Sequence, residues 1–229
     1  MKYVLAAILS IGFLSSSCFA GEKPELKDLK DKESYSLGYQ FGQSLKAQGL
    51  DINLEVYTSG IQDALGGSNP RLSQEEIRKT VSELQQRVTT ARQKEFREMA
   101  EKNLSEGKVF LEENKKKEGV KTLPSGLQYK VLVEGSGKTA KATDAVTVNY
   151  RGAFIDGTEF DSSYRTGRPA MFKVDGVIPG WREALKLMPA GSKWQLFIPP
   201  QLAYGAGGAG RDIGPNATLI FEVELLAIK

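Results

Sequence analysis

Residues 217–225 read Ala-Thr-Leu-Ile-Phe-Glu-Val-Glu-Leu, so Leu219, Phe221, Val223 and Leu225 recur at every second position. Period two is the signature of a strand with one buried face. The same period appears at Leu127, Tyr129, Val131 and Val133, and again at Val146, Val148 and Tyr150. Turn clusters separate these runs: Gly135-Ser136-Gly137, Asp156-Gly157, Pro199-Pro200 and Gly214-Pro215-Asn216. A single short helical signal interrupts them, from Gly180 to Met188, opened by Pro179 and closed by Pro189-Ala190-Gly191. Residues 120–229 are therefore expected to form an α+β domain, an antiparallel half-barrel-like sheet with one short helix packed on it.

Upstream of Val120 the period is helical. Tyr35, Leu37, Phe41 and Leu45 predict a helix from Asp31 to a C-terminal Gly49. Asn53 predicts the cap of a second helix carrying Leu54, Tyr57, Ile61 and Leu65, stopped by Gly66-Gly67. Ser34, Gly38 and Gly42 fall on one stripe of the first helix, which fits either close approach of another helix or simply a weak helix. Ser73-Gln74-Glu75-Glu76 has the pattern of a capping box, and Ile77, Val81, Leu84, Val88 and Ala91 follow as a heptad seam. A helix continuous from Gln74 to Lys117, with Gly107 as its weak point, would be about 65 Å long. It is expected to project as a stalk or to pack on a second subunit. The division along the chain is then 1–20, 21–70, 71–119 and 120–229: a targeting segment, an all-α region, a long connecting helix and the sheet domain.

Residues 1–20 have the form of a secretory signal: Lys2, an apolar run from Val4 to Leu14 too short to span a bilayer, and Ser15-Ser16-Ser17-Cys18-Phe19-Ala20. Cleavage after Ala20 and lipidation at Cys18 are the two readings. The net charge of +3, with acids and bases interspersed, carries no nucleic-acid footprint. The chain has no His and one Cys, so the usual zinc ligand sets are absent. No metal and no cofactor are expected.

Val177-Ile178-Pro179-Gly180-Trp181 and Leu202-Ala203-Tyr204-Gly205, with Tyr150, Phe160-Asp161-Ser162-Ser163, Phe172 and Phe221, supply many aromatic rings and one carboxylate. Such a set can line an apolar pocket but does not readily provide a nucleophile with its base. It points to chemistry done by shape and desolvation. Phe154 and Phe197 read as ordinary core.

Residues 123–229 closely resemble the FKBP-type peptidyl-prolyl cis/trans isomerases. The resemblance is carried in order by Val148-Asn149-Tyr150-Arg151-Gly152, Gly157-Thr158-Glu159-Phe160-Asp161-Ser162-Ser163, Val177 to Trp181, Met188-Pro189-Ala190-Gly191, Ala203-Tyr204-Gly205 and Ala217 to Leu225. The helical region, the signal segment and Tyr35-Ser36-Leu37-Gly38 further resemble the Mip-like (macrophage infectivity potentiator) subgroup, whose N-terminal helices intertwine into a V-shaped dimer.

The resemblance implies Trp181 as the floor of a proline pocket, with Tyr150, Phe160, Val177, Ile178, Tyr204 and Phe221 as walls and Phe172 as a further wall. The Ile178 N–H and the Tyr204 hydroxyl would hold substrate carbonyls, Asp161 would sit at the rim, and Ile213 would point inward from the flap 205–214. Either Arg165 or Arg168 would pair with Asp161. It also implies unfolded or Pro-containing polypeptides as substrates and inhibition by tacrolimus- and rapamycin-type macrolides. A homodimer through residues 31–70 is expected, in the periplasm, outer membrane or cell surface of a Gram-negative bacterium, or secreted. Three functions compete: an isomerase for folding envelope proteins, a holdase-type chaperone with accessory isomerase activity, and a module that only docks Pro-containing partners.

Overall fold

The computed structural model describes residues 25–229. The expected targeting segment 1–20, with the readings of cleavage after Ala20 and lipidation at Cys18, lies outside the described residues. The chain divides into two compact units, one ending at Ser73 and one spanning Gln74–Lys229. Among the described residues no helix is long and apolar enough to cross a membrane.

The first unit holds α1 (Leu29–Ala47) and α2 (Leu54–Leu65). Asp28 caps α1, accepting from the Asp31 N–H at 2.9 Å, which starts the helix two residues earlier than the apolar pattern predicts. It ends in a Schellman arrangement. The Leu50 N–H reaches back to the Leu45 carbonyl and that of Gly49 to Lys46, with Gly49 at φ +65°. Asn53 caps α2 by accepting from the Val56 N–H at 3.1 Å. Neither helix buries a residue: Leu37 is 66%, Phe41 62% and Leu65 85% exposed.

The second unit opens with α3 (Gln74–Asn114), a single 41-residue helix that runs through Gly107 without a break and stops three residues short of Lys117. Seven strands follow: β1 (Val120–Thr122), β2 (Gln128–Val133), β3 (Ala145–Phe154), β4 (Glu159–Ser162), β5 (Ala170–Lys173), β6 (Lys193–Ile198) and β7 (Leu219–Ile228). They form one open antiparallel sheet in the order β1-β2-β6-β7-β3-β4, with β5 also paired to β3. The helix α4 (Pro179–Leu185) buries Trp181, Ala184 and Leu185 in the same core as Val146, Val148, Leu219, Phe221, Val223 and Leu225. Gly180 permits this: a Cβ there would come within 2.6 Å of Ile198 Cγ2.

Residues 99–114 of α3 belong to the packing of the sheet. Gly107 sits against the Thr218 hydroxyl, leaving no room for a side chain, which explains a glycine in mid-helix. The Phe110 and Phe197 rings lie 6.0 Å apart. Buried Asn114 donates to Gln128 Oε1 at 3.0 Å, and the Gln128 amide donates to the Leu111 carbonyl at 2.9 Å. Toward its N-terminal end α3 leaves apolar side chains exposed, Val81 at 46% and Phe96 at 46%.

Candidate active site

The central pair β3·β7 sets the geometry. Its register places Gly152 opposite Phe221 and Tyr150 opposite Val223, so the apolar faces of both strands look toward α4. Trp181, 4% exposed, is the hub. Tyr150, Phe172 and Phe221 each meet it nearly edge-on, with ring centroids 5.5, 5.8 and 5.3 Å away. Phe160 meets Phe221 edge-on at 5.5 Å, and Phe154 backs Phe160 at 4.9 Å. Edge-to-face pairs hold rings more specifically than area alone. Val177, Ile178 and Ile213 pack against the same core.

Two hydrogen-bonding elements border this apolar wall. Asp161 accepts from the Tyr150 hydroxyl at 2.6 Å, from its neighbour Ser162 N–H at 2.8 Å and from Arg165 Nη2 at 3.2 Å. Arg165 is thus the partner of the site carboxylate, and it also donates to the Phe160 carbonyl at 2.8 Å. Burial, then the bond to Asp161, push the Tyr150 phenol well above its ordinary value, so it stays a neutral donor. Tyr150 is further fixed through its backbone, whose N–H donates to Ser163 Oγ at 2.9 Å. Ser162 and Ser163 are both nearly buried, and the hydroxyl of each donates to the Tyr150 carbonyl.

The second element comprises Ile178 and Tyr204. Ile178 precedes Pro179 at the start of α4, and among the described residues its N–H donates no hydrogen bond. Tyr204 is 42% exposed, its hydroxyl has no partner among the described residues, and it lies near enough to Tyr150 to bear on that phenol's ionisation. The flap beyond it is a tight hairpin closed by reciprocal Ala209–Ile213 backbone bonds of 2.8 and 3.1 Å.

Sequence reasoning missed Gly152. A Cβ there would lie 2.7 Å from Phe221 Cε1 and 2.8 Å from Phe160 Cζ, so the close seating of both rings requires glycine. The signal was present in Tyr150-Arg151-Gly152, since glycine inside a strand marks close approach.

The arrangement offers an apolar aromatic bed, two groups able to hold carbonyls and no nucleophile–base pair. Comparison with known proteins gives the family. The model of the "domain amino terminal to FKBP-type peptidyl-prolyl isomerase" matches residues 30–131, and that of the "FKBP-type peptidyl-prolyl cis-trans isomerase" matches residues 136–226. The chain belongs to the FKBP-type peptidyl-prolyl isomerases.

It is 46% identical over 229 residues to the outer membrane protein MIP of Legionella longbeachae, covering 100% of this chain and 98% of the relative. It is 48% identical over 206 residues to the FKBP-type 22 kDa peptidyl-prolyl cis-trans isomerase of Escherichia coli K12, covering 90% and 98%. The crystal structure of FkpA from Escherichia coli superposes with a TM-score of 0.69 at 42% identity, covering 90% of this chain and 99% of that one. The protein is a peptidyl-prolyl cis/trans isomerase of the Mip-like group.

Proposed function

We propose that the ring cluster around Trp181 is the proline site, and that the enzyme accelerates X–Pro isomerisation in folding envelope or secreted proteins. The observation that carries this is the set of three rings edge-on to a nearly buried indole. Rotation about a peptide bond must cross about 18–20 kcal/mol, and uncatalysed X–Pro isomerisation takes roughly tens to hundreds of seconds. The twisted amide has lost resonance and is less dipolar than the planar one. An apolar bed disfavours the planar dipole more, which is differential binding of the transition state. Trp181 is the floor, with Tyr150, Phe160, Phe172, Val177, Ile213 and Phe221 as walls. The Ile178 N–H and the Tyr204 hydroxyl hold substrate carbonyls, and Asp161, held by Arg165, fixes Tyr150. No proton is shuttled. Tacrolimus- and rapamycin-type macrolides are expected to inhibit at this bed.

The helical region is read as a dimerisation module, residues 31–70, with the long helix as a spacer. Helices of 19 and 12 residues that bury nothing are marginal alone in water. Their exposed Leu37, Phe41 and Leu65 are apolar surface that a second copy would cover. The cleft of such a dimer holds an unfolded client, and two sites raise the effective concentration of isomerase around it, which adds a chaperone function. The relatives' names, an outer membrane protein among them, support the Gram-negative cell envelope as the location. Sedimentation equilibrium of the chain from Gly21 tests the dimer, and a monomer would refute it. Paired proline-limited refolding and proline-independent aggregation assays separate isomerase from holdase. Protection from aggregation with no effect on proline-limited refolding would make the holdase reading the correct one.

A further inference from the structure

The flap bearing Tyr204 at one foot and Ile213 at the other is tied to α3. Asn103 Nδ2, on that helix, donates to the Pro215 carbonyl at 2.7 Å. Asn216 Nδ2 donates in the reverse direction, to the Ala100 carbonyl of α3 at 3.3 Å. The Asn216 backbone N–H meanwhile donates to the Gly205 carbonyl at 2.8 Å, next to Tyr204. Asn216 therefore links both feet of the flap to one helix. Among the described residues it is the non-glycine with positive φ, at 53°, a conformation asparagine tolerates better than most. Gly214 lies flat on the helix: a Cβ there would come within 2.9 Å of Met99 Sδ and 3.3 Å of Asn103 Nδ2.

Besides these ties the flap is held by Ile213, which packs against the core. The segment contains Gly205, Gly207, Gly208, Gly210 and Gly214, and its hairpin is closed by one pair of backbone bonds. Such a segment samples many conformations unless its ends are fixed, and a site populated for part of the time binds its ligand correspondingly more weakly.

We infer that Asn103 and Asn216 are positioning residues for the isomerase site. They hold the flap feet on α3, so that Tyr204 and Ile213 face a bound X–Pro peptide before it arrives. This rests on the reading above that Tyr204 and Ile213 contact substrate. The side-chain hydrogen bonds of both asparagines go to backbone carbonyls outside the ring cluster, and the clamp makes α3 part of the site's framework.

The test compares four variants of the full mature chain on a tetrapeptide with an apolar residue before Pro. Asn216→Gly accepts the positive-φ backbone and removes the side-chain donor while adding backbone freedom at that position, so it is read beside Asn103→Ala, whose position lies within a helix and carries no such change. Asn103→Ala removes the other donor. Asn114→Ala breaks a helix–sheet bond that involves no flap residue, as a control for general loosening. Tyr204→Phe tests the site reading on its own.

Asn103→Ala and Asn216→Gly should each raise KM about threefold to tenfold, the range that loss of one ordering hydrogen bond implies, with kcat within about twofold. Hydrogen exchange at the Ile213 amide should speed up by a similar factor in both. Asn114→Ala should change neither quantity even where it lowers the unfolding midpoint. Unchanged KM and unchanged Ile213 exchange in both flap variants would overturn the clamp, as would equal effects from Asn114→Ala. A silent Tyr204→Phe beside affected asparagine variants would leave the clamp standing and remove the contact assigned to Tyr204.

Discussion

Placing a methyl group on Gly152 perturbs the ring cluster while leaving every functional side chain chemically unchanged. The added Cβ would lie 2.7 Å from Phe221 Cε1 and 2.8 and 2.9 Å from Phe160 Cζ and Cε2. Ordinary contact between carbon atoms is about 3.5–4.0 Å, so one ring or both must retreat by roughly 1 Å. Neither ring is free to do so. Phe221 is 5% exposed and wedged edge-on between Trp181 at 5.3 Å and Phe160 at 5.5 Å. Phe160 is backed by Phe154 at 4.9 Å.

Overpacking of this kind costs about 1–3 kcal/mol. Misplacement of a binding surface by about 1 Å can cost up to about a hundredfold in rate. Gly152→Ala is therefore expected to unfold at lower urea by the equivalent of about 1–3 kcal/mol and to lose at least about tenfold in kcat/KM. Combining it with Phe160→Leu, which shortens the obstructing ring, should restore part of the stability but little of the rate. Urea unfolding and a tetrapeptide assay on the same samples read both. Wild-type stability together with wild-type rate in Gly152→Ala would refute the idea that this glycine seats the pocket walls.

Other consequences follow from the same geometry. Phe221→Ala should lower stability by about 3–5 kcal/mol and abolish most activity, whereas Tyr204→Phe and Asp161→Ala should reduce the rate moderately with the fold intact; a fold lost in either rim variant would contradict this separation. With no His in the chain, the rate should be flat over roughly pH 6 to 9, and a bell-shaped profile centred near neutrality would argue against the mechanism. The raised Tyr150 phenol binds its proton more tightly in the folded state. The stability this adds is fully present below the ordinary value of about 10 and is lost as pH rises through the higher folded-state value. Unfolding of wild type and Tyr150→Phe should therefore differ by a constant amount up to about pH 10 and converge above it. A fragment of residues 120–229 should be less stable by at least about 2 kcal/mol than one of residues 74–229, because Gln128 and Thr218 lose their cover from α3; equal urea midpoints would show that the helix adds nothing.

Much of this was legible in the chain. Period-two runs marked β2, β3 and β7, and Pro179 with the following glycine marked α4. Lys193–Ile198 escaped notice because it alternates weakly. Trp194, Leu196, Phe197 and Ile198 are all nearly buried, as expected of a strand covered on both faces. The short β1, β4 and β5 carry too few residues for a pattern. The rings that the structure gathers around Trp181 were legible through their motifs, yet their supports were not. Which arginine meets Asp161 depended on loop geometry, and the bonds from Ser162 and Ser163 to Tyr150 cross between strands. Gly107 read as a weak point of the helix, but only the packed structure shows it as the place where the helix meets Thr218. The buried Asn114–Gln128 pair joins residues fourteen apart in different elements, which no local pattern predicts.

The central claim is that the bed around Trp181 catalyses prolyl isomerisation by desolvation. The most direct measurement is cis-to-trans relaxation of X–Pro tetrapeptides at catalytic enzyme concentration, across a series of residues before proline. The account predicts a rate well above the uncatalysed one, highest for apolar residues before proline and sharply reduced by Gly152→Ala. Relaxation at the uncatalysed rate for every peptide in the series would contradict it.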